Sequence, residues 1–273
     1  MAHFRSIQSP QEDRCDLNPW HSAQRFTSGR RALVFSGLGL AAVIAMANFP
    51  TPEASAGDPG HAKARERMVE TQIRGRGVRE ASVLTAMRQV PRHLFVPQDL
   101  RRLAYADRPL PIGHDQTISQ PFIVALMTRL VEASGNEKVL EIGTGSGYHA
   151  AVLSRVVGEV YTIEIVEELG RGAAALLERL GYDNVHVRVG DGFDGWPEEA
   201  PFDAIVLTAA PEEVPAPLVA QLRPGGRIIL PLGGLDQELV VLTKDEGGLL
   251  RRRILPVRFV PMTGKAQEGV DSP

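Results

Sequence analysis

The stretch Val139-Leu140-Glu141-Ile142-Gly143-Thr144-Gly145-Ser146-Gly147-Tyr148 decides the fold. Val139–Ile142 is a short apolar run interrupted only by Glu141, as in a strand buried on both faces. Three glycines at alternate positions then let the backbone turn sharply and pass close to a ligand. Tyr148–Val157 follows as a helix whose N-terminus faces that turn, so strand, turn and helix form one unit of a nucleotide-binding sheet.

Working outward from that unit, Val160–Glu164, Val185–Val189 and Ala204–Leu207 read as further buried parallel strands. They alternate with helices over Val166–Leu180 and Val214–Leu222. The first of these lines Leu169, Ala173, Leu176, Leu177 and Leu180 along one face and ends at Gly181. After the Pro224-Gly225-Gly226 turn, Arg227–Leu230, Leu239–Thr243 and Leu249–Ile254 are strands with no helix between them. The pattern implies an α/β fold: a doubly wound, mostly parallel sheet with an antiparallel C-terminal edge. Ligands of such sheets bind beyond the carboxyl ends of the strands.

Three acids fall at those ends. Tyr148 occupies the position of the third glycine in G-x-G-x-x-G, which weakens a dinucleotide reading. Glu141, two residues before Gly143, would repel a pyrophosphate but suits the cationic amino-acid part of S-adenosylmethionine. Glu164 ends the second strand, 21 residues after Gly143, where an acid accepts hydrogen bonds from ribose hydroxyls. Asp191-Gly192 follows the third, placed to meet an adenine amine. Glu141, Gly143, Thr144, Gly145, Glu164, Asp191 and Gly192 are therefore the expected cofactor-binding residues. The sheet is expected to be of the S-adenosylmethionine-dependent methyltransferase (Rossmann-like) type.

On the N-terminal side, Lys63–Arg74 and Glu80–Val90 read as helices, the second burying Val83, Leu84, Met87 and Val90. Asp107–Gln120 reads as a long loop. Ser119 and Pro121 then open a helix over Phe122–Ala133, with Ser119 also suited to cap it.

Residues 1–56 differ from the body. Arg30-Arg31 precedes an uncharged 18-residue stretch, Ala32–Phe49, and Ala54-Ser55-Ala56 lies beyond it. As a helix the stretch would be ~27 Å long, slightly short of a ~30 Å bilayer core. A basic flank, apolar middle and small-residue exit read as an export signal or an uncleaved anchor, with a start near Met68 as the alternative. The Arg pair resembles a twin-arginine signal, and the positive-inside rule puts the body of the chain outside the cytoplasm. A methyl donor made in the cytoplasm points the other way. Residues 57–273 are expected to be one domain: N-terminal helices and a substrate loop (63–120), a cofactor-binding core (121–264) and a flexible tail (265–273).

Composition narrows the classes further. A formal charge of -3 lacks the basic excess of a nucleic-acid binder, and 5% aromatic content leaves little for base stacking. The single cysteine, Cys15, excludes a disulfide framework and a cysteine-based zinc site. No metal is expected.

The fourth strand ends Leu207-Thr208-Ala209-Ala210-Pro211, without the Asn or Asp that nitrogen methyltransferases commonly place there, and no general base stands at the other strand ends. A nucleophile that needs no base fits this absence. A carboxylate of pKa ~4 is almost wholly ionised at neutral pH, whereas an amine of pKa ~10.4 is protonated.

Several segments carry a resemblance: Pro91–Pro97 (PRHLFVP), Leu110–Gly113 (LPIG), Gln116–Pro121 (QTISQP), Val139–Tyr148, Gly190–Gly192 (GDG), Pro201–Ile205 (PFDAI), Thr208–Pro211 (TAAP) and Val257–Pro261 (VRFVP). From roughly Arg65 to Gly264 the chain resembles protein-L-isoaspartate O-methyltransferases. That resemblance implies methylation of the misplaced carboxylate of isoaspartyl residues in damaged proteins and peptides, after which the ester cyclises to a succinimide without an enzyme. It implies that Ser119 lies at the active site and orients that carboxylate, with Ile118, Ala210 and Val214 also meeting the substrate and Arg258–Pro261 walling the groove. Gln116 and Thr117 would shape the loop, and His114 would be solvated. Asp115 stands where many members have Gly. A monomer is implied, touching a membrane only through an uncleaved N-terminal segment. The alternatives are a methyltransferase of the same fold acting on another carboxylate or small molecule, and a peptide-binding module without turnover. A nicotinamide oxidoreductase is disfavoured by the charge of Glu141.

Overall fold

The apolar spacing read in residues 63–90 is buried where expected. In the computed structural model, which describes residues 59–268, helix α1 (Pro59–Arg67) runs on through turns at Met68–Ile73 and Arg74–Arg76. It meets α2 (Ala81–Gln89), and Met68, Val69 and Ile73 share a core with Val83, Leu84, Met87 and Val90. The expected signal or anchor at 1–56, Cys15 within it, and residues 269–273 of the expected tail lie outside the described residues. Among the described residues no helix is long and apolar enough to cross a membrane.

The stretch Asp107–Gln120 is not a loop throughout. It contains an antiparallel hairpin, β1 (Leu110–Gly113) with β2 (Gln116–Ile118), turning at His114 and Asp115. Both turn residues have positive φ, 51° and 56°. Hairpins favour such mirror-image turns because their twist matches the strands, and they favour Gly or Asn in them. The chain puts two ordinary side chains there, so the sequence carries no hairpin signal. Asp115→Gly relieves left-handed strain of roughly 1 kcal/mol. It is expected to raise the melting temperature by about 2–4 °C; an unchanged or lower value in a thermal scan refutes this account of the turn.

Helix α3 (Pro121–Leu130) follows, with Pro121 in its first turn and Gln120, not Ser119, at the capping position. No side chain caps it, so the expected helix-cap role of Ser119 does not hold.

The main sheet is built from β3 (Lys138–Ile142), β4 (Glu159–Glu164), β5 (Val185–Val189), β6 (Phe202–Leu207), β7 (Leu222–Leu232), β8 (Gln237–Asp245) and β9 (Gly248–Val257). Their spatial order is β5-β4-β3-β6-β7-β8-β9. Pairing is parallel from β5 to β7 and antiparallel from β7 to β9. Helices α4 (Tyr148–Leu153), α5 (Glu167–Arg179) and α6 (Ala216–Gln221) provide the crossovers after β3, β4 and β6. Helices α4 and α6 are shorter than expected. Chain after α6 enters β7 at once: Leu222 pairs with Phe202, and the register slips before Ala204 meets Arg227. Pro224-Gly225-Gly226 is thus an irregularity within a strand, not a turn before one.

The strand order reverses at β3, which sends one connection to β4 on one side and has β6 on the other. The register aligns Ile142 with Ile163 and with Leu207, so Gly143, Glu164 and Thr208 leave the sheet at one level. That is the switch point where doubly wound sheets bind ligands.

Candidate active site

At the switch point the glycine turn folds over the end of β4: Gly143 and Thr144 both donate their backbone N–H to the carbonyl of Ile163. Gly143 has φ 94°, and a Cβ there would collide with Oγ1 of Thr208, which donates to the Gly143 carbonyl at 2.6 Å. Only glycine lets the turn lie flat against the end of β6. Glu164 ties the turn from the other side, its Oε2 accepting from the Gly145 N–H at 2.7 Å and its Oε1 from Val166 at 3.0 Å. Each oxygen keeps a second lone pair, so Glu164 can still receive a ribose hydroxyl in the cleft it lines.

Gly143, Thr144, Gly145, Glu164 and Gly192 all line one cleft of about 810 Å³, open mouth included. Two of the expected cofactor residues are placed otherwise. Asp191 is not in the lining: its Oδ1 accepts from the Phe193 N–H and its Oδ2 from the Lys265 N–H, tying the C-terminal segment down. That segment supplies Val260, Pro261, Met262 and Thr263 to the cleft wall. Among the described residues no group of three or more His, Cys, Asp or Glu side chains converges as a metal site.

Glu141 is the second exception. It lies wholly buried beneath the turn and off the cleft, so its charge does not meet a donor cation. Its Oε2 accepts from Thr162 Oγ1 at 2.6 Å, and its Oε1 faces His149 Nδ1 across 3.6 Å with no other partner. Burial pushes the carboxyl up to about 8, with Glu164 adding to the shift against the Thr162 hydrogen bond. Burial alone pushes the imidazole of His149 down to about 3. At neutral pH both groups are uncharged.

This pair gives stability a defined pH dependence. Glu141 binds its proton more tightly folded than unfolded, so its contribution is full below about 4.5 and declines as pH rises toward 8. His149 binds its proton less tightly folded, so its contribution is full above about 6.5 and declines as pH falls toward 3. The two trends cancel between about 4.5 and 6.5. Glu141→Gln removes only the first. In urea unfolding series, the wild type is expected to lose stability relative to the variant at up to about 1.4 kcal/mol per pH unit through the neutral range toward 8. Parallel curves there would refute the assignment.

A second, shallower groove of about 1530 Å³ adjoins the cleft. Ile123, Leu255, Val257 and Phe259 give it apolar walls, and Arg76 and Arg258 stand along it. Arg76 is held over the Phe122 ring and paired with Asp107 at 3.1 Å. Ser119, Thr117, Thr208 and Val260 line both the cleft and the groove, so they form the passage between them. Ile118 is buried at the cleft. Two expected substrate residues lie elsewhere. Ala210 exchanges backbone hydrogen bonds with Val260 and Met262 and so anchors the C-terminal segment. Val214 is partly buried and packs against the core cluster that contains Leu218 and Phe202, outside the lining of cleft and groove. Sequence reading missed Thr208 and Arg76. The register that brings Thr208 beside Gly143 could have flagged the first; nothing local marks the second.

The family model described as protein-L-isoaspartate(D-aspartate) O-methyltransferase matches residues 63–267. A protein-L-isoaspartate O-methyltransferase of Gloeobacter violaceus is 59% identical over 198 residues, covering 72% of this chain and 97% of that one. Protein-L-isoaspartate O-methyltransferase 2 of Shewanella sediminis is 53% identical over 240 residues, covering 87% and 97%. A Plasmodium falciparum chain assigned to the same activity and crystallised with S-adenosyl-L-homocysteine is 25% identical, with a TM-score of 0.64 over 73% of this chain and 98% of that one. Matched across the glycine turn, the Ser119 segment and the C-terminal wall alike, the chain belongs to the protein-L-isoaspartate(D-aspartate) O-methyltransferase family.

Proposed function

We propose that this chain methylates the free carboxylate of L-isoaspartyl residues through the passage between its two cavities, with Ser119 as the residue that orients the carboxylate. The observation that carries this is the shared lining: Ser119, Thr117, Thr208 and Val260 border both the cleft at the glycine turn and the groove beside it. Gly143, Thr144, Gly145, Glu164 and Gly192 would hold S-adenosylmethionine, which supplies an electrophilic methyl group when bound. The Ser119 hydroxyl, free of any cap, donates to one carboxylate oxygen and leaves the other aimed through the passage. Ile118 and Val124 keep water from the reacting oxygen. An ionised carboxylate needs no base, so alignment is what these residues contribute.

Incubation of the full chain with labelled methyl donor and matched peptides tests this. Base-labile label is expected on the isoaspartyl peptide alone. Equal label on the aspartyl peptide would overturn the assignment, and tight peptide binding without label would favour a binding module.

We read residues 1–56 as an export signal or membrane anchor, and the enzyme as a monomer. Similarity to the Shewanella sediminis relative covers 87% of the chain, more than residues 63–273 can supply, so it continues upstream of the catalytic region. A mature N-terminus at Gly57 in the periplasmic fraction would support a cleaved signal. An intact chain in the soluble cytoplasm would refute export and anchoring together. Light scattering on the purified protein checks the monomer.

A further inference from the structure

Two buried runs of side-chain hydrogen bonds, Thr144–Thr162–Glu141 and His149–Thr128, meet beneath the donor cleft across a 3.6 Å contact between Glu141 and His149. Thr128 Oγ1 donates its single proton to the Val124 carbonyl at 2.8 Å, so it accepts from His149 Nε2 at 3.1 Å. His149 therefore carries its proton on Nε2 and presents a bare Nδ1. At the other end Thr162 donates to Glu141 Oε2, so it accepts from Thr144 Oγ1 at 2.7 Å. The carboxyl proton of Glu141 is left on Oε1, facing Nδ1 across 3.6 Å.

We propose that His149 is a positioning residue, which joins the donor-holding turn to the helix behind Ser119 through the chain Thr144–Thr162–Glu141–His149–Thr128. The two ends are functionally different pieces of the site. Thr144 belongs to the glycine turn, whereas Thr128 and Val124 belong to α3, which begins two residues after Ser119. His149 itself lines the cleft between them. The neutral states of Glu141 and His149 agree with this arrangement, since a carboxylate facing a bare imidazole nitrogen would repel it. Burial is what chiefly keeps Glu141 neutral, and Glu164 on β4, which faces the pair, adds to it. The inference rests on the reading of Ser119 as the acceptor-side residue.

Three full-length variants test it. His149→Leu keeps apolar volume and breaks the chain; His149→Gln keeps it, because an amide offers one acceptor and one donor at about the spacing of the ring nitrogens. His149→Leu is expected to lower kcat about 30–100-fold with the peptide KM nearly unchanged, as misplaced reactants do. It should weaken S-adenosyl-L-homocysteine binding about 5–10-fold, the loss of a buried hydrogen bond. His149→Gln should recover most of both, and Thr128→Val, which removes the far acceptor, should follow His149→Leu in kcat. Equal losses in the Leu and Gln variants, or a Leu variant with wild-type kcat, would overturn the proposal. If the wild type itself does not label isoaspartyl peptides, the functional reading falls, and homocysteine-analogue affinity still judges the chain. ¹⁵N spectra of the His149 ring should show a protonated Nε2 and bare Nδ1 at pH 6; a protonated Nδ1 would refute it.

Discussion

Gly143→Ala is expected to weaken S-adenosyl-L-homocysteine binding by about 100-fold or more, equivalent to roughly 2.7 kcal/mol. Two separate penalties combine. The backbone sits at φ 94°, where a side chain is strained regardless of space. The added methyl would also drive into Thr208 Oγ1, whose hydroxyl holds the Gly143 and Ile142 carbonyls at 2.6 and 3.1 Å. Rotating Thr208 away would release both carbonyls and move a residue that borders cleft and groove at once. The second penalty can be lifted alone. Gly143→Ala with Thr208→Ala removes the collision and keeps the strain, so it should recover part of the lost affinity, whereas Thr208→Ser on the same background should recover almost none. Calorimetric titration of the analogue reads all three proteins without depending on the acceptor. Wild-type affinity in the single variant would mean that the turn is not the donor site. Full recovery in the Ala/Ala protein would leave no role for the backbone conformation.

The sequence made β3, β4 and β6 legible as short runs rich in apolar residues, whereas β5 (VHVRV), expected to be buried, lies half-exposed at the edge of the sheet. It also placed Gly143, Gly145 and Glu164 at one cleft, since parallel strands in register put their carboxyl ends at one level. Hairpin β1–β2 was hidden because His114 and Asp115 occupy a turn normally signalled by Gly or Asn. Glu141 was misread for a more general reason. Its position in the sequence fixes the strand but not the face: the side chain points under the turn, where desolvation removes the charge on which the electrostatic argument relied. Asp191 sits at the right strand end yet spends its oxygens on Lys265 and Phe193, the first of them 74 residues away. Long-range partners of this kind have no local signature, and Thr208 and Arg76 escaped notice for the same cause. The resemblance pointed to Ser119 correctly as a lining residue, but helix-capping rules pointed to a second role that the backbone gives to Gln120.

That difference makes Ser119→Ala informative. The hydroxyl lines the passage and makes no capping hydrogen bond, so its loss should be felt in turnover and not in folding. A hydrogen bond to a charged group is worth about 1.5–3 kcal/mol, which corresponds to a fall of roughly 10–150-fold in kcat/KM for the isoaspartyl peptide. Affinity for S-adenosyl-L-homocysteine should change by less than about twofold, because the residues that tie the donor turn are elsewhere; removing a donor to a ground-state carboxylate does not alter a site that the analogue fills alone. A helix cap, by contrast, contributes about 1 kcal/mol to stability, enough to move the melting temperature of a domain this size by about 2–4 °C. The two roles therefore separate in one protein: slow turnover with an unchanged melting temperature assigns Ser119 to the acceptor carboxylate. An unchanged rate with a lowered melting temperature would return it to the helix and remove it from the reaction. Ser119→Thr sharpens the comparison, since it restores a hydroxyl donor while adding a methyl where cleft and groove meet. It should recover kcat/KM in part and raise KM, and full recovery would show that the passage is wider than its lining residues imply.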